Sequence, residues 1–117
     1  SARLIAAVTA DALRRLAGGK DAALEPGLYH LAPTGAVSRV DYVRFLVAEA
    51  QRLGASLGVA PEAIRAIATA DYPTPAVRPL NSRLDTGKLR QALGLTLPDW
   101  RDDARRWVAG ELVHHAP

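Results

Sequence analysis

Three prolines fall within the stretch Pro73–Pro79, at Pro73, Pro75 and Pro79, and they constrain this chain more than any other feature. Proline lacks a backbone N–H and locks φ, so the stretch can neither continue a helix nor sit in a central strand. Each proline also biases the residue before it toward extended geometry. Tyr72–Pro79 is therefore expected as a stiff, extended loop, on the surface or lining a cleft. Regular structure has to lie on either side of it.

Upstream, Leu4, Ile5, Val8, Ala12, Leu13 and Leu16 recur at helical spacing over residues 3–16, and Gly18-Gly19 stops that helix. Pro26-Gly27 reads as a turn and Leu28–Leu31 as a short strand, followed by a loop at Pro33-Thr34-Gly35. Ser38 can cap the next helix, with Asp41 as a shortened capping box, and the stripe Val40, Val43, Leu46, Val47, Ala50, Leu53 carries it to Gly54. Ala60-Pro61-Glu62 predicts a helical turn through Ile64, and Ala66–Thr69 reads as extended. Downstream, Asp85 is expected to cap a helix through Leu93 that ends at Gly94. Pro98 suits the first turn of a last helix with the stripe Trp100, Ala104, Trp107, Val108, Leu112, leaving His114–Pro117 frayed. The expectation is a mainly helical chain with two short strands, too few for an independent sheet. That is a poor whole domain and a reasonable part of a larger one.

The 117 residues fit one small domain or a piece of a larger one. Apolar residues make up 49%, which excludes a disordered polar tail, but aromatics only 5%, so the core must be aliphatic and its stability marginal. The first helix carries a long apolar stripe with little local surface to cover it. That face is expected to be exposed or covered by a second copy, a homo-oligomer. The net charge of +3 comes from basic residues scattered among acids. It argues for no nucleic-acid partner and suits a small anionic ligand. Without cysteine there is neither disulfide nor thiol chemistry. No apolar run approaches the roughly 18 residues of a membrane span, so no membrane partner is expected. With no amino-terminal signal pattern, a cytoplasmic location is the expectation. The first residue is Ser1 rather than Met, and the sequence is expected to start inside a longer reading frame or after processing.

Chemistry concentrates in Tyr72–Asp85. A rigid frame presenting Arg78, with Asn81 and Ser82 behind it, can act as an anion clamp: a guanidinium makes forked, charge-assisted bonds to phosphate oxygens, and the amide and hydroxyl orient the group. The same polar residues can instead cap the next helix, and residue types alone leave both readings open. His30, in the predicted strand, reads as a hydrogen-bonded structural residue rather than a base. His114 and His115 are adjacent and do not face one metal from a helix, so no metal site is expected. Gly18-Gly19 follows a helix rather than a strand, which is the wrong context for a dinucleotide fingerprint, and no Tyr-x-x-x-Lys pair is present.

The stretch Tyr72-Pro-Thr-Pro-Ala-x-Arg-Pro-x-Asn-Ser-x-Leu-Asp85 resembles the signature of the dTDP-4-dehydrorhamnose reductases, which are extended short-chain dehydrogenase/reductase relatives. Ala2-Arg-Leu-Ile-Ala, Gly27-Leu-Tyr-His-Leu-Ala32, and Leu89 with Gly94-Leu-Thr-Leu-Pro-Asp-Trp100 are similar to that family in the same order. The likeness departs at Arg39-Val40, where many relatives carry an aromatic residue. The resemblance implies an α/β parent, a Rossmann domain with a smaller substrate domain. Residues 1–20 would then be the last helix region of the Rossmann part and 21–117 the carboxy-terminal substrate-binding domain. It implies reduction of the 4-keto group of dTDP-4-dehydro-L-rhamnose by NADPH or NADH, giving dTDP-L-rhamnose. The dTDP-sugar would be held by Arg78, Asn81 and Ser82. The catalytic Tyr and Lys and the cofactor loop would lie upstream, so this segment is expected to bind no cofactor and to be inactive alone. A second reading is a non-catalytic relative, similar to the regulatory subunit of methionine adenosyltransferase, that works as a binding partner. A third is a standalone helical interaction module.

Overall fold

The computed structural model describes residues 1–18, 24–72, 74–76 and 79–114. The readings made above on Gly19, Pro73, Val77, Arg78 and the end beyond His114 lie outside them. The described residues form four α-helices, α1 (Ala2–Ala17), α2 (Arg39–Arg52), α3 (Gly87–Leu93) and α4 (Trp100–His114), with short 3-10 turns at Pro61–Ala63 and Thr69–Asp71. The chain divides into two compact units, Ser1–Gly35 with Leu84–Trp107, and Ala36–Arg83 with Val108–Pro117.

Local capping chemistry explains where the helices begin and end. Ser1 Oγ accepts the Leu4 N–H at 3.2 Å and starts α1. Ser38 Oγ accepts the Asp41 N–H at 3.1 Å, the expected N-cap, and donates to Asp41 Oδ2 at 2.6 Å, so the carboxylate takes the hydroxyl rather than the Ser38 backbone N–H that a capping box would use. Gly94 closes α3 with φ 59° and ψ 34°, a left-handed conformation that glycine adopts without a Cβ penalty. Two starts fall later than expected, by one residue at α3 and by two at α4. The α3 N-cap is Thr86, while Asp85 Oδ1 accepts the Gly87 N–H at 2.8 Å. Asp99, not Pro98, opens α4: its Oδ1 accepts the Arg101 N–H at 2.9 Å and its carbonyl the Asp102 and Asp103 N–H groups at 3.1 Å each. An acceptor side chain outcompetes a residue that can only tolerate the position.

The two expected strands are not present among the described residues. Leu28–Leu31 and Ala66–Ala68 are irregular, and Thr69 opens a 3-10 turn. A strand exists only with a partner, and the extended pairing here is one parallel bridge, Thr34 with Asp99. Thr34 N–H donates to the Pro98 carbonyl at 2.8 Å and Trp100 N–H to the Thr34 carbonyl at 3.0 Å. That bridge seats Gly35, whose φ is +87°, against the indole: a Cβ there would stand 2.8 Å from Trp100 Cδ1.

In the first unit the buried apolar residues are Leu89, Leu93, Leu97, Trp100 and Ala104. The aliphatic core expected from composition is thus supplemented by one indole. α1 has no buried residue: of its stripe, Ile5, Leu13 and Leu16 are exposed and Leu4, Val8 and Ala12 are half-buried.

Asp103, also in the first unit, is a buried carboxylate. Its Oδ2 lies 2.7 Å from the Ser1 ammonium and its Oδ1 accepts the Ser1 hydroxyl at 2.9 Å. Burial pushes this carboxyl up. The two hydrogen bonds from Ser1, the ammonium charge and Arg106 outweigh burial and hold it below the usual carboxylate range. A carboxyl depressed in the folded state adds stability above its unfolded value, about 3.9, and loses that contribution as pH falls through the folded value. In the chain starting at Ser1, Asp103→Asn is therefore expected to lower the urea midpoint at neutral pH, and the gap from the parent should narrow on acidification. A gap that holds constant down to about pH 2 would show that the carboxylate charge does not contribute.

Candidate functional site

The proline loop and its neighbours lie in the second unit up to Arg83. Tyr72 follows the Thr69–Asp71 turn, its N–H donating to the Thr69 carbonyl at 3.3 Å. Thr74 is half-buried, and its hydroxyl donates to the Ala76 carbonyl at 2.9 Å, a brace inside the loop. Leu80 is 93% exposed. Asn81 and Ser82 are exposed as well. Asn81 Oδ1 accepts the Arg83 N–H at 3.1 Å, an Asx turn that uses the side-chain oxygen on the local backbone. The Asn81 side-chain N–H groups and the Ser82 hydroxyl have no hydrogen-bond partner among the described residues, which leaves donors on this surface.

Of the three residues singled out from sequence, the structure therefore puts Asn81 and Ser82 side by side on an exposed turn, and Arg78 lies outside the described residues. The helix-capping alternative is met by Asp85, which serves α3. Asn81 instead shapes its own turn. His30 is exposed and makes no hydrogen bond among the described residues, so the structural role expected for it is not seen. Tyr29 holds the Glu25 carbonyl through its hydroxyl at 2.7 Å and lies under the Lys88 ammonium, 4.3 Å from the ring centroid. Among the described residues no group of three His, Cys, Asp or Glu side chains could hold a metal, and no helix is long and apolar enough to cross a membrane.

Sequence reasoning missed two polar residues of α2. Arg44 donates to the Ile64 carbonyl through Nε at 3.0 Å and Nη2 at 2.7 Å. Gln51 donates to the Val59 carbonyl through Nε2 at 3.1 Å. They lie seven apart, hence on one face of the helix. Their spacing was visible, but a backbone carbonyl carries no sequence signal. Glu49, on the same helix, is buried and accepts from Arg52 through Nε at 3.1 Å and Nη2 at 2.6 Å. That contact raises the Arg52 guanidinium, first by hydrogen bonding and then by charge.

Residues 1–112 match the family described as RmlD substrate binding domain. The dTDP-4-dehydrorhamnose reductase of Shigella flexneri is 42% identical over 107 residues, which cover 92% of this chain and 34% of that protein. Its counterpart in Escherichia coli K12 is 41% identical over the same shares. The one from Mycolicibacterium smegmatis is 34% identical over 102 residues, 86% of this chain and 29% of that protein. The chain thus spans about a third of the length of the curated relatives it matches.

Proposed function

This chain belongs to the RmlD substrate binding domain family, and on that premise we propose that it is the sugar-nucleotide-binding segment of a dTDP-4-dehydrorhamnose reductase. The observation that carries the reading is the stretch Tyr72–Asp85, in which the exposed Asn81-Ser82 turn follows a proline-framed arginine. The ligand is a dTDP-linked 4-keto-6-deoxysugar. Arg78 contributes the fork for the diphosphate, and Asn81 and Ser82 contribute neutral donors beside it. A domain whose net charge is only +3 fits a small dianion better than a polyanion such as nucleic acid.

The parent enzyme is α/β, and residues 1–20 belong to its nucleotide-binding layer, which would cover the exposed face of α1. NADPH or NADH supplies the hydride in the parent. The sequence offers neither a glycine fingerprint after a strand nor a Tyr-x-x-x-Lys pair to hold that cofactor or relay a proton. This segment therefore contributes substrate affinity and orientation rather than the reacting groups, and in isolation it turns over nothing. The setting we infer is cytoplasmic, where nucleotide sugars are made.

The test is a titration of the 117-residue chain with dTDP, followed by amide chemical shifts. Saturable shifts confined to the neighbourhood of residues 72–83, weaker with thymidine and with inorganic phosphate alone, are expected. Shifts spread evenly over the basic surface, equal for all three ligands, would reduce the site to unspecific charge and remove the proposal.

A further inference from the structure

We propose that the exposed face of α1 is a self-association surface, on which two copies of this chain pair through antiparallel α1 helices about a two-fold axis. The inference does not depend on the sugar-nucleotide reading. In a longer protein whose nucleotide-binding layer takes the same face the pairing is lost, so it is a property of the 117-residue chain by itself.

Successive residues of an α-helix are turned by about 100°. On α1 this groups Leu4, Val8, Asp11 and Ala12 on one side, and all four are half-buried. Next to them lies an arc about 140° wide on which every residue is exposed and none is charged. Its large members, Ile5, Leu13 and Leu16, are 57%, 60% and 54% exposed. Along its middle, Ala2, Ala6, Thr9, Leu13 and Leu16 follow at steps of four, three, four and three, the spacing of a helix–helix seam. The charges of the helix keep off this arc. Asp11 lies on the far side, 3.0 Å from Arg15 and 3.7 Å from Arg14, and Arg3 falls just outside the edge.

The occupant follows from how the seam is graded. Its amino-terminal half is small, with Ala2 and Ala6, and its carboxy-terminal half is large, with Leu13 and Leu16. Such a seam is complementary to its own reverse. Antiparallel copies set Leu16 of the second copy against Ala2, and Leu13 of the second copy against Ala6 and Ile5. The two Thr9 side chains then meet at the axis. Parallel copies would crowd leucines at one end and leave alanines facing across a gap at the other, which forfeits packing at both. Antiparallel helices also set opposite dipole ends together. A charged partner would lose water from its ions with nothing on this face to pair them. The same uncharged face on a second copy carries no such cost. A two-fold pairing uses one patch on both copies, so it closes at the dimer. α1 has 16 residues and is roughly 24 Å long, and one helix pair of that length is smaller than a standard interface of about 1,600 Å². The dimer is accordingly weak and forms in concentrated solution.

The experiment is sedimentation equilibrium of the 117-residue chain from micromolar to millimolar concentration, with disulfide trapping to read the direction of the helices. The apparent mass is expected to rise from 12.5 kDa toward twice that value and to level there. Leu13→Asp places a charge in the seam and should stay monomeric throughout. Arg14→Ala, off the seam, should associate as the parent does. The chain has no cysteine of its own, so Thr9→Cys and Ala2→Cys report on pairing without interference. Thr9→Cys should form an intermolecular disulfide, because the axis brings its two copies within bonding reach. Ala2→Cys should not, because antiparallel helices hold its two copies at opposite ends. A monomer mass at every concentration overturns the proposal, and so does a mass that climbs past the dimer. Leu13→Asp associating as the parent does would move the contact off this face and overturn it as well. Ala2→Cys trapping as readily as Thr9→Cys would mean parallel helices, against the size argument. Should Leu13→Asp lose the helical circular-dichroism signal, Thr9→Lys decides: association equal to the parent's sinks the proposal, and a monomer with parent-like helicity supports it.

Discussion

Replacing Leu93 by Ala is expected to lower the unfolding free energy by about 2–5 kcal/mol, the range for truncating a fully buried leucine. Leu93 is the last residue of α3 and the most buried side chain described, at 1% exposure. It belongs to the same unit as buried Leu89, Leu97, Trp100 and Ala104. In an aromatic-poor core few side chains contribute much area each, so losing one removes a large share of the total. Relaxation at the site is limited from one side. Gly94 in its left-handed cap, with Leu95 N–H bonded to the Arg90 carbonyl at 3.0 Å, holds the chain end in place and leaves a cavity rather than a collapse. A small domain has about 5–15 kcal/mol in all, so this single change should bring the chain close to unfolding. Urea denaturation followed by tryptophan fluorescence reads it directly, because Trp100 is buried in the same unit. The control is Leu13→Ala on exposed α1, expected to fall within about 0.5 kcal/mol of the parent. Equal losses for Leu93→Ala and Leu13→Ala would mean that α3 does not seat the core.

What the sequence made legible was local. The Ser38–Asp41 cap, the Pro61 turn and the Gly94 stop each depend on a few neighbouring residues and were readable from their types alone. The apolar stripe of α4 was legible only in part. Trp100, Ala104 and Val108, spaced by four, are buried, while Trp107, counted in the same stripe, is 44% exposed. A helical wheel gives a face but not its width, and the width depends on what packs there. The failures were non-local. Leu28–Leu31 has strand composition, but composition supplies no partner, and the backbone pairing forms instead where Thr34 meets the chain around Asp99. The same limit holds for the candidate site. The motif carrying Arg78, Asn81 and Ser82 stood out by its prolines, whereas Arg44 looked like one more solvated arginine until its fork was seen to end on the Ile64 carbonyl.

Arg78→Ala is expected to cost about 1.5–3 kcal/mol of dTDP binding, roughly a 10- to 150-fold loss, the range for hydrogen bonds to charged groups. The case rests on what its neighbours offer. Asn81 spends its side-chain oxygen on the Arg83 N–H, so it brings only neutral donors to an anion. The Ser82 hydroxyl is a neutral donor too. Neither can balance a diphosphate, and the cation set between Pro75 and Pro79 is Arg78. Charge-assisted bonds are about twice as strong as neutral ones, so truncation at Arg78 should cost more than truncation at Asn81 or Ser82. Arg78→Lys separates charge from geometry. It keeps the cation and loses the fork, and should recover only part of the affinity. Salt provides a further check, since raising ionic strength should weaken the parent more than Arg78→Ala, which has already lost the charge. In a reductase containing this segment the same substitution should raise the KM for the dTDP-sugar and leave nicotinamide-cofactor affinity nearly unchanged. If Arg78→Ala binds dTDP as the parent does and only melts earlier, the arginine is a structural clamp, and the anion site must be sought elsewhere on the chain.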